Sequence, residues 1–255
     1  MHDGDTEPRR PAIALRIRIG TSGWQYADWR GVLYERGLPQ REWLRRYAEV
    51  FDTVELNYSF YRLPSVESFV AWREAVPRGF LIAPKMSRYL THVRGLREPE
   101  DPVRRFVERA SHLGDHLGPI VVQLPPTRQK DAGSLERTLA AFPRRQRVAL
   151  EFRHESWFSD DVRALLEAHD AALVWADRDG RLRDPDWITA SWMYVRMHGG
   201  RGPSGNYGAR VIASYADRLA ALDLEAFVYF NNDSTGNAVR NARALARRLG
   251  IRGPR

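Results

Sequence analysis

With 255 residues, 43% hydrophobic and 28% charged, the chain is large enough for a sizeable core, and this composition excludes disordered and fibrous classes. The absence of cysteine excludes disulfides, thiolate zinc sites and cysteine nucleophiles. A net charge of +8, with Lys85 and Lys130 the only lysines among 40 basic residues, leaves polyanions open as partners, although runs such as RRYAE and LARRLG read as solvated helix faces.

The opening MHDGDTEPRRPA has no apolar stretch of signal-peptide length, and residues 1–14 are expected to form a disordered tail. No apolar run approaches the roughly 20 residues of a membrane span, so a cytoplasmic protein without a membrane partner is expected. Eight short apolar runs follow in order: RIRIG (16–20), TVELN (53–57), FLIAPKM (80–86), PIVVQL (119–124), RVALEF (147–152), AALVW (171–175), WMYVRMH (192–198) and AFVYFN (226–231). Helical periodicity fills most of the gaps. In REWLRRYAEVF the apolar positions repeat near 3.6 residues, and DPVRRFVERASHL opens with Asp101 as a cap and Pro102 at the first helical position. SLERTLAAF, DDVRALLEAH, IASYADRLAAL and STGNAVRNARALARRLG behave alike. The segment ADRDGRLRDPDWITAS lacks this pattern and reads as an irregular crossover.

Strand–helix alternation implies parallel strands. Eight units without a linker predict an α/β fold, a single TIM-like (β/α)8 barrel over residues 15–252, with its site at the C-terminal rim. Alternate residues of a strand share a face. Val54 and Leu56 are therefore expected to point to the helices, and Glu55 and Asn57 into the ring. The same rule turns Glu151, Arg153, Arg196 and His198 inward. Lys85, Gln123, Asp177, Asn231 and Asp233 lie at or just beyond strand ends. Burying so many charges costs several kcal/mol each unless they are paired or bound. A polar layer at the C-terminal ends therefore points to a site rather than to a core.

IGTSGWQYADWRG, VELNYSFYRLP, KMSRYLTH, QLPPT, LEFRHESWF, RMHG and VYFNNDSTGNAVRNA, spread over residues 19–242, resemble the domain of unknown function 72, or YecE-like, family. The resemblance implies a TIM-like barrel and carries no reaction with it. The loop GGRGPSGNYG is longer and richer in glycine than the family's loop after HG.

Three groups of residues carry the expected chemistry. Arg62, Lys85, Arg88, Arg153 and Arg196 are cationic, and arginine forks suit phosphate and carboxylate. With the backbone at Gly200 and Asn232, and a helix capped by Asp233 or Ser234, they predict an anion site after the last two strands. Glu55 or Glu151 is the expected general base, assisted by His198, with His92, His154, Asp177 and Asp233 as further ionisable groups. Glu151 is expected to pair with an arginine. Among the aromatics, Trp24 and Tyr61 are expected to contact ligand, and Trp29 and Phe60 to plug the core. Substrate contacts are expected from Asn57, Gln123 and Asn231 as well. No cofactor is expected. A divalent metal is disfavoured because no compact ligand motif is present and arginines surround the acids. The sequence thus predicts an enzyme acting on a small phosphorylated or carboxylated anion. A nucleic-acid-binding or nucleic-acid-processing protein and a non-catalytic ligand-binding barrel are the alternatives.

Overall fold

A computed structural model describes residues 17–201 and 204–251. The expected tail at 1–14 lies outside them, as does Gly202. The strands are β1 (Ile17–Thr21), β2 (Thr53–Leu56), β3 (Leu81–Pro84), β4 (Ile120–Gln123), β5 (Val148–Glu151), β6 (Ala172–Arg178), β7 (Arg181–Leu182), β8 (Trp192–Met197) and β9 (Glu225–Phe230). The helices are α1 (Trp43–Ala48), α2 (Tyr58–Tyr61), α3 (Val66–Ala75), α4 (Glu100–Ala110), α5 (Ala132–Ala141), α6 (Asp160–Ala168), α7 (Ala209–Leu222) and α8 (Asn237–Arg248). All eight strand expectations correspond to β1–β6, β8 and β9. The segment before β8 holds only the two-residue β7, antiparallel to β6, and no helix.

The fold is α/β, with a curled, TIM-like parallel sheet. Strands β4, β5, β6, β8, β9 and β1 pair in that order, and β2 pairs with β3, all in parallel. Isolated bridges join the two pieces: Ser22 with Glu55 on one side, Ile82 with Leu117 and Lys85 with Val121 on the other. Between β1 and β2 a side chain stands in for ladder bonds. The Tyr47 hydroxyl, from α1, accepts from Thr21 N at 2.9 Å and donates to Thr53 O at 3.0 Å. The backbones approach so closely there that a Cβ on Gly20 would lie 2.1 Å from Thr53 O.

Strand alternation sorts the core. Small side chains of β3–β6, among them Ala83, Val121, Ala149 and Ala176, face the large rings of Trp192, Tyr194, Phe227 and Tyr229 from β8 and β9. The opposite parity, such as Val54, Leu56, Val122 and Leu150, packs outward with Phe69, Phe106, Leu135 and Leu166 of the helices. Some helices differ from expectation. α4 begins at Glu100, so Asp101 lies inside the first turn instead of capping it, and Pro102 stays in that turn, where no helical N–H is required. α3 has no counterpart in the sequence reading, because only Phe69 of it is fully buried and the apolar pattern is faint; Ser65 Oγ caps it by accepting from Ser68 N at 3.3 Å. Among the described residues no helix is long and apolar enough to cross a membrane.

The seam yields a prediction. Tyr47→Phe leaves two buried backbone groups unpaired, and should lower the urea unfolding free energy by about 1–3 kcal/mol. Gly20→Ala should cost a similar amount through the forced separation of β1 and β2, about 1–3 kcal/mol. Unfolding curves that coincide with wild type would show that the seam does not hold the sheet.

Candidate functional site

The polar layer begins with Arg196 on β8, which is 1% exposed. Its guanidinium bridges two carboxylates that are themselves fully buried: Nη2 donates to Glu55 Oε1 at 2.8 Å and Nη1 to Glu151 Oε2 at 2.5 Å. Glu55 also accepts from Ser22 Oγ and the Tyr194 hydroxyl, both at 2.7 Å. Glu151 also accepts from Arg153 Nε at 3.0 Å, with an Arg178 nitrogen 3.5 Å away. Burial pushes both carboxyls up, but Arg196 and the other donors outweigh it. Glu55 is held below, and Glu151 well below, the usual carboxylate range.

The side chains nearer the surface divide by charge. Lys85, at the end of β3, is 8% exposed; its Nζ donates to Gln123 Oε1 at 2.6 Å and lies 4.2 Å from the centre of the Phe60 ring. Burial, then the nearby Arg196 charge, brings this ammonium down to a pKa of about 8. His92 stands edge-on to Phe60, and its pKa is lowered by burial and by Lys85, Arg88 and Arg153. Cations thus collect at the ends of β3, β5 and β6, with Lys85, Arg153 and Arg178. The opposite side, formed by β9 and β1, carries Asp233. Burial pushes its carboxyl up to about 7; the Tyr26 hydroxyl beside it pulls down, and the Glu55 charge adds to the rise. Asp233 Oδ1 is buried with no hydrogen-bond partner, as are Asn57 Oδ1, Arg196 Nε and His198 Nε2. Burial, chiefly, lowers the His198 pKa, keeping the imidazole neutral at pH 7. Asn231 Nδ2 lies 3.2 Å from His198 Nδ1; an amide donating there leaves the ring proton on Nε2, 3.4 Å from Glu151 Oε1.

Against this geometry, the family model for "Protein of unknown function DUF72" matches residues 18–255. The chain belongs to the DUF72 family. The UPF0759 protein YecE of Escherichia coli K12 is 30% identical over 144 residues, covering 56% of this chain and 50% of YecE. The chain therefore spans about half the length of the curated relatives it matches. A DUF72 family protein from Thermotoga maritima MSB8 superposes with a TM-score of 0.81 at 25% identity, over 92% of this chain and 99% of its own. Another, from Enterococcus faecalis V583, gives 0.77 at 20% identity, over 92% and 96%.

In this DUF72 chain Glu55, Glu151, Arg153, Arg196 and His198 of the expected inward set converge, joined by Lys85 and Gln123 from the strand ends, while Asn57 is half-buried just past β2. Several expectations need correction. Glu55 and Glu151 are saturated with donors and held ionised, which suits counter-ions and not general bases. Asp177 lies within β6, opposite Met197, on the face that meets the helices. Its oxygens accept from the Tyr207 and Tyr215 hydroxyls at 2.7 and 2.8 Å, so it anchors a loop and α7. The inward residue there is Arg178. Trp24 is 4% exposed and packs edge-on against Trp72 of α3, within the core. The expected anion cradle after β8 and β9 is tied up internally. Gly200 N donates to Gly205 O at 2.8 Å, and Asn232 Nδ2 donates to Gly205 O and Asn241 Oδ1, each at 2.8 Å. Nor does Asp233 or Ser234 cap α8; Gly236, with φ at 76°, precedes it. Trp29 is fully buried against Tyr47 and Phe60 is buried under Lys85, as expected of plugs. Tyr61, Arg62 and Arg88 are exposed at the rim. His154 hydrogen-bonds Ser156 in its own turn. Among the described residues no three His, Asp or Glu side chains are grouped to hold a metal ion.

Tyr194 and Arg178 carry no site signal in the sequence. A tyrosine inside a strand reads as core, and Arg178 lies beyond the apolar run that marked its strand. Arg196→Met should destabilise the protein by about 3–5 kcal/mol, because two buried carboxylates lose their counter-charge. In wild type their lowered pKa values contribute stability that is complete above the ordinary glutamate value of 4.5 and is lost as pH falls further. In Arg196→Met that acid loss should shrink or reverse, since protonation would then relieve the buried charges. Denaturant titrations from pH 3 to 7 check both.

Proposed function

We propose that this DUF72 protein is an enzyme performing acid–base chemistry on a small phosphorylated or carboxylated substrate, held at the C-terminal rim of one (β/α)8 ring. The isolated bridges between β1 and β2, and between β3 and β4, support closure of the ring. The observation that carries the functional reading is the division of the rim by charge. Lys85, Arg88, Arg153, Arg178 and Arg196 outnumber the carboxyls among them, Glu55, Glu151 and Asp184, and a surplus of fixed cations in a low-dielectric setting favours an anion. Across from them, Asp233 titrates near neutrality with a free oxygen, the condition for a general base or acid at working pH. The anion expected after β8 and β9 is therefore reassigned to the β3–β6 side, where no carboxyl of Asp233 opposes it. The reading requires no cofactor.

Thermal-shift screening of phosphorylated and carboxylated metabolites should find a stabilising ligand, because binding to the native state raises its apparent stability. That shift should vanish in Lys85→Met and Arg153→Ala. With that ligand as substrate, Asp233→Asn should slow turnover by about 100-fold or more, the scale of a lost general acid–base. A ligand that binds and is recovered unchanged would make the protein a binding barrel instead. Asp233 also has a stability signature. A carboxyl raised from 3.8 to about 7 contributes stability that is full at low pH and lost as pH rises through about 7. The wild-type protein should therefore lose stability relative to Asp233→Asn between pH 4 and 8. Parallel curves would remove Asp233 from the acid–base role.

A further inference from the structure

We propose that the rim sector formed by the turns after β2 and β3 is a docking surface for single-stranded nucleic acid, with bases stacking on exposed tyrosines and a phosphate reaching the cationic side of the rim. This rests on the anion-binding reading above and extends it to a larger ligand, one of whose phosphates occupies the same cations.

Among the described residues the exposed large hydrophobic side chains are Tyr58, Tyr61, Tyr89 and Val93, at 48%, 72%, 48% and 58% exposure. All four lie in this one sector. Solvent-facing aromatics scattered over a surface need no explanation, but a set confined to one edge of a site does. Tyr58 and Tyr61 begin and end the single turn of α2, three residues apart, so they share a helix face. Ser59 Oγ fixes that turn to the sheet, its single proton shared between Leu56 O at 2.9 Å and Lys85 O at 2.7 Å. The tyrosines therefore stand on a rigid base.

The exposed tyrosines connect to the cations through the buried Phe60 ring. Tyr61 meets Phe60 edge-on, with ring centres 5.0 Å apart, and Phe60 meets both His92 and the Lys85 ammonium. Arg62 and Arg88, both exposed, flank the rings, and neither has a carboxylate within ion-pair distance among the described residues. Arg94 differs: it lies over the Tyr89 ring and pairs with Glu98, which closes the patch on its outer side. Uncompensated arginines beside flat exposed rings match a ligand that alternates phosphates with aromatic bases. A protein partner of opposite charge would satisfy the arginines but leave the stacking faces without purpose. A single strand uses both.

The test is fluorescence anisotropy with a short labelled oligothymidylate at low and rising salt. Wild type should bind, with affinity falling linearly on a log–log salt scale. Tyr61→Ala should weaken binding by about five- to a hundredfold, the range for one lost base stack, and Arg88→Ala should reduce the salt slope by about one. Arg144→Ala/Arg145→Ala, exposed at the opposite end of the strands, should change neither. Equal losses in that control variant would mean non-specific attraction to a basic protein and would overturn the proposal, as would full binding by Tyr61→Ala. Thymidine monophosphate competing as well as the strand would overturn it too, in favour of a free nucleotide. Thermal shifts with inorganic phosphate separate the two readings. A phosphate response without strand binding removes this inference alone; the absence of both removes the anion site with it.

Discussion

Arg196 held between Glu55 and Glu151 is the contact on which the site depends. It ties β2, β5 and β8 together across the interior of the curled sheet, at the level where packed apolar side chains give way to polar ones. Such a cluster is not a cheap source of stability. The desolvation cost of buried ions offsets most of their attraction, and an apolar replacement of the whole set is often neutral or better. What the cluster does supply is discrimination between registers. Sliding any of these strands by one residue would turn its charge outward into the helix layer and leave the others without a counter-charge. The small side chains of β3–β6 opposite the rings of β8 and β9 reinforce the same register by shape.

The cluster also sets the chemistry above it. Two carboxylates locked in their ionised forms are poor proton carriers, yet they act on their neighbours. The Glu55 charge adds to the burial that keeps Asp233 near neutrality, and Glu151 faces the proton of His198. Arg196, in turn, helps burial bring Lys85 down. The groups able to exchange protons near pH 7 thus lie one layer outside the groups that look most like acids and bases in the sequence.

Around the rim, loops are fixed to different degrees. The turn after β8 is pinned through Asn232, Asn241 and Asn237 to α8, and through Tyr207 to Asp177. Gly200 serves close backbone packing there: a Cβ on it would lie 2.1 Å from Asn206 O. The turns after β2 and β3 are fixed at their base by Ser59 but present their aromatic side chains to solvent. A wall on one side and an open aromatic shelf on the other give the rim a direction of approach.

Residue order alone was enough for the strand–helix alternation, the parallel sheet and the inward parity of Glu55, Glu151, Arg153, Arg196 and His198. These follow from local rules: short apolar runs, the two-residue repeat of a strand, and capping signals. The DUF72 membership was legible as well, in motifs spread along the chain. What each polar side chain faces emerged only from the folded arrangement. Asp177 ends an apolar run just as Glu151 does, yet one step of parity aims it at Tyr207 and Tyr215 instead of the rim. Glu55 looks like a base until Ser22, Tyr194 and Arg196, brought from distant parts of the chain, saturate it. Asp233 looks like a helix cap until left-handed Thr235 and Gly236 postpone the helix and leave its oxygen buried without a partner. Proton affinity and hydrogen-bond demand depend on burial and on neighbours far apart in the chain, and no local pattern of residues encodes either.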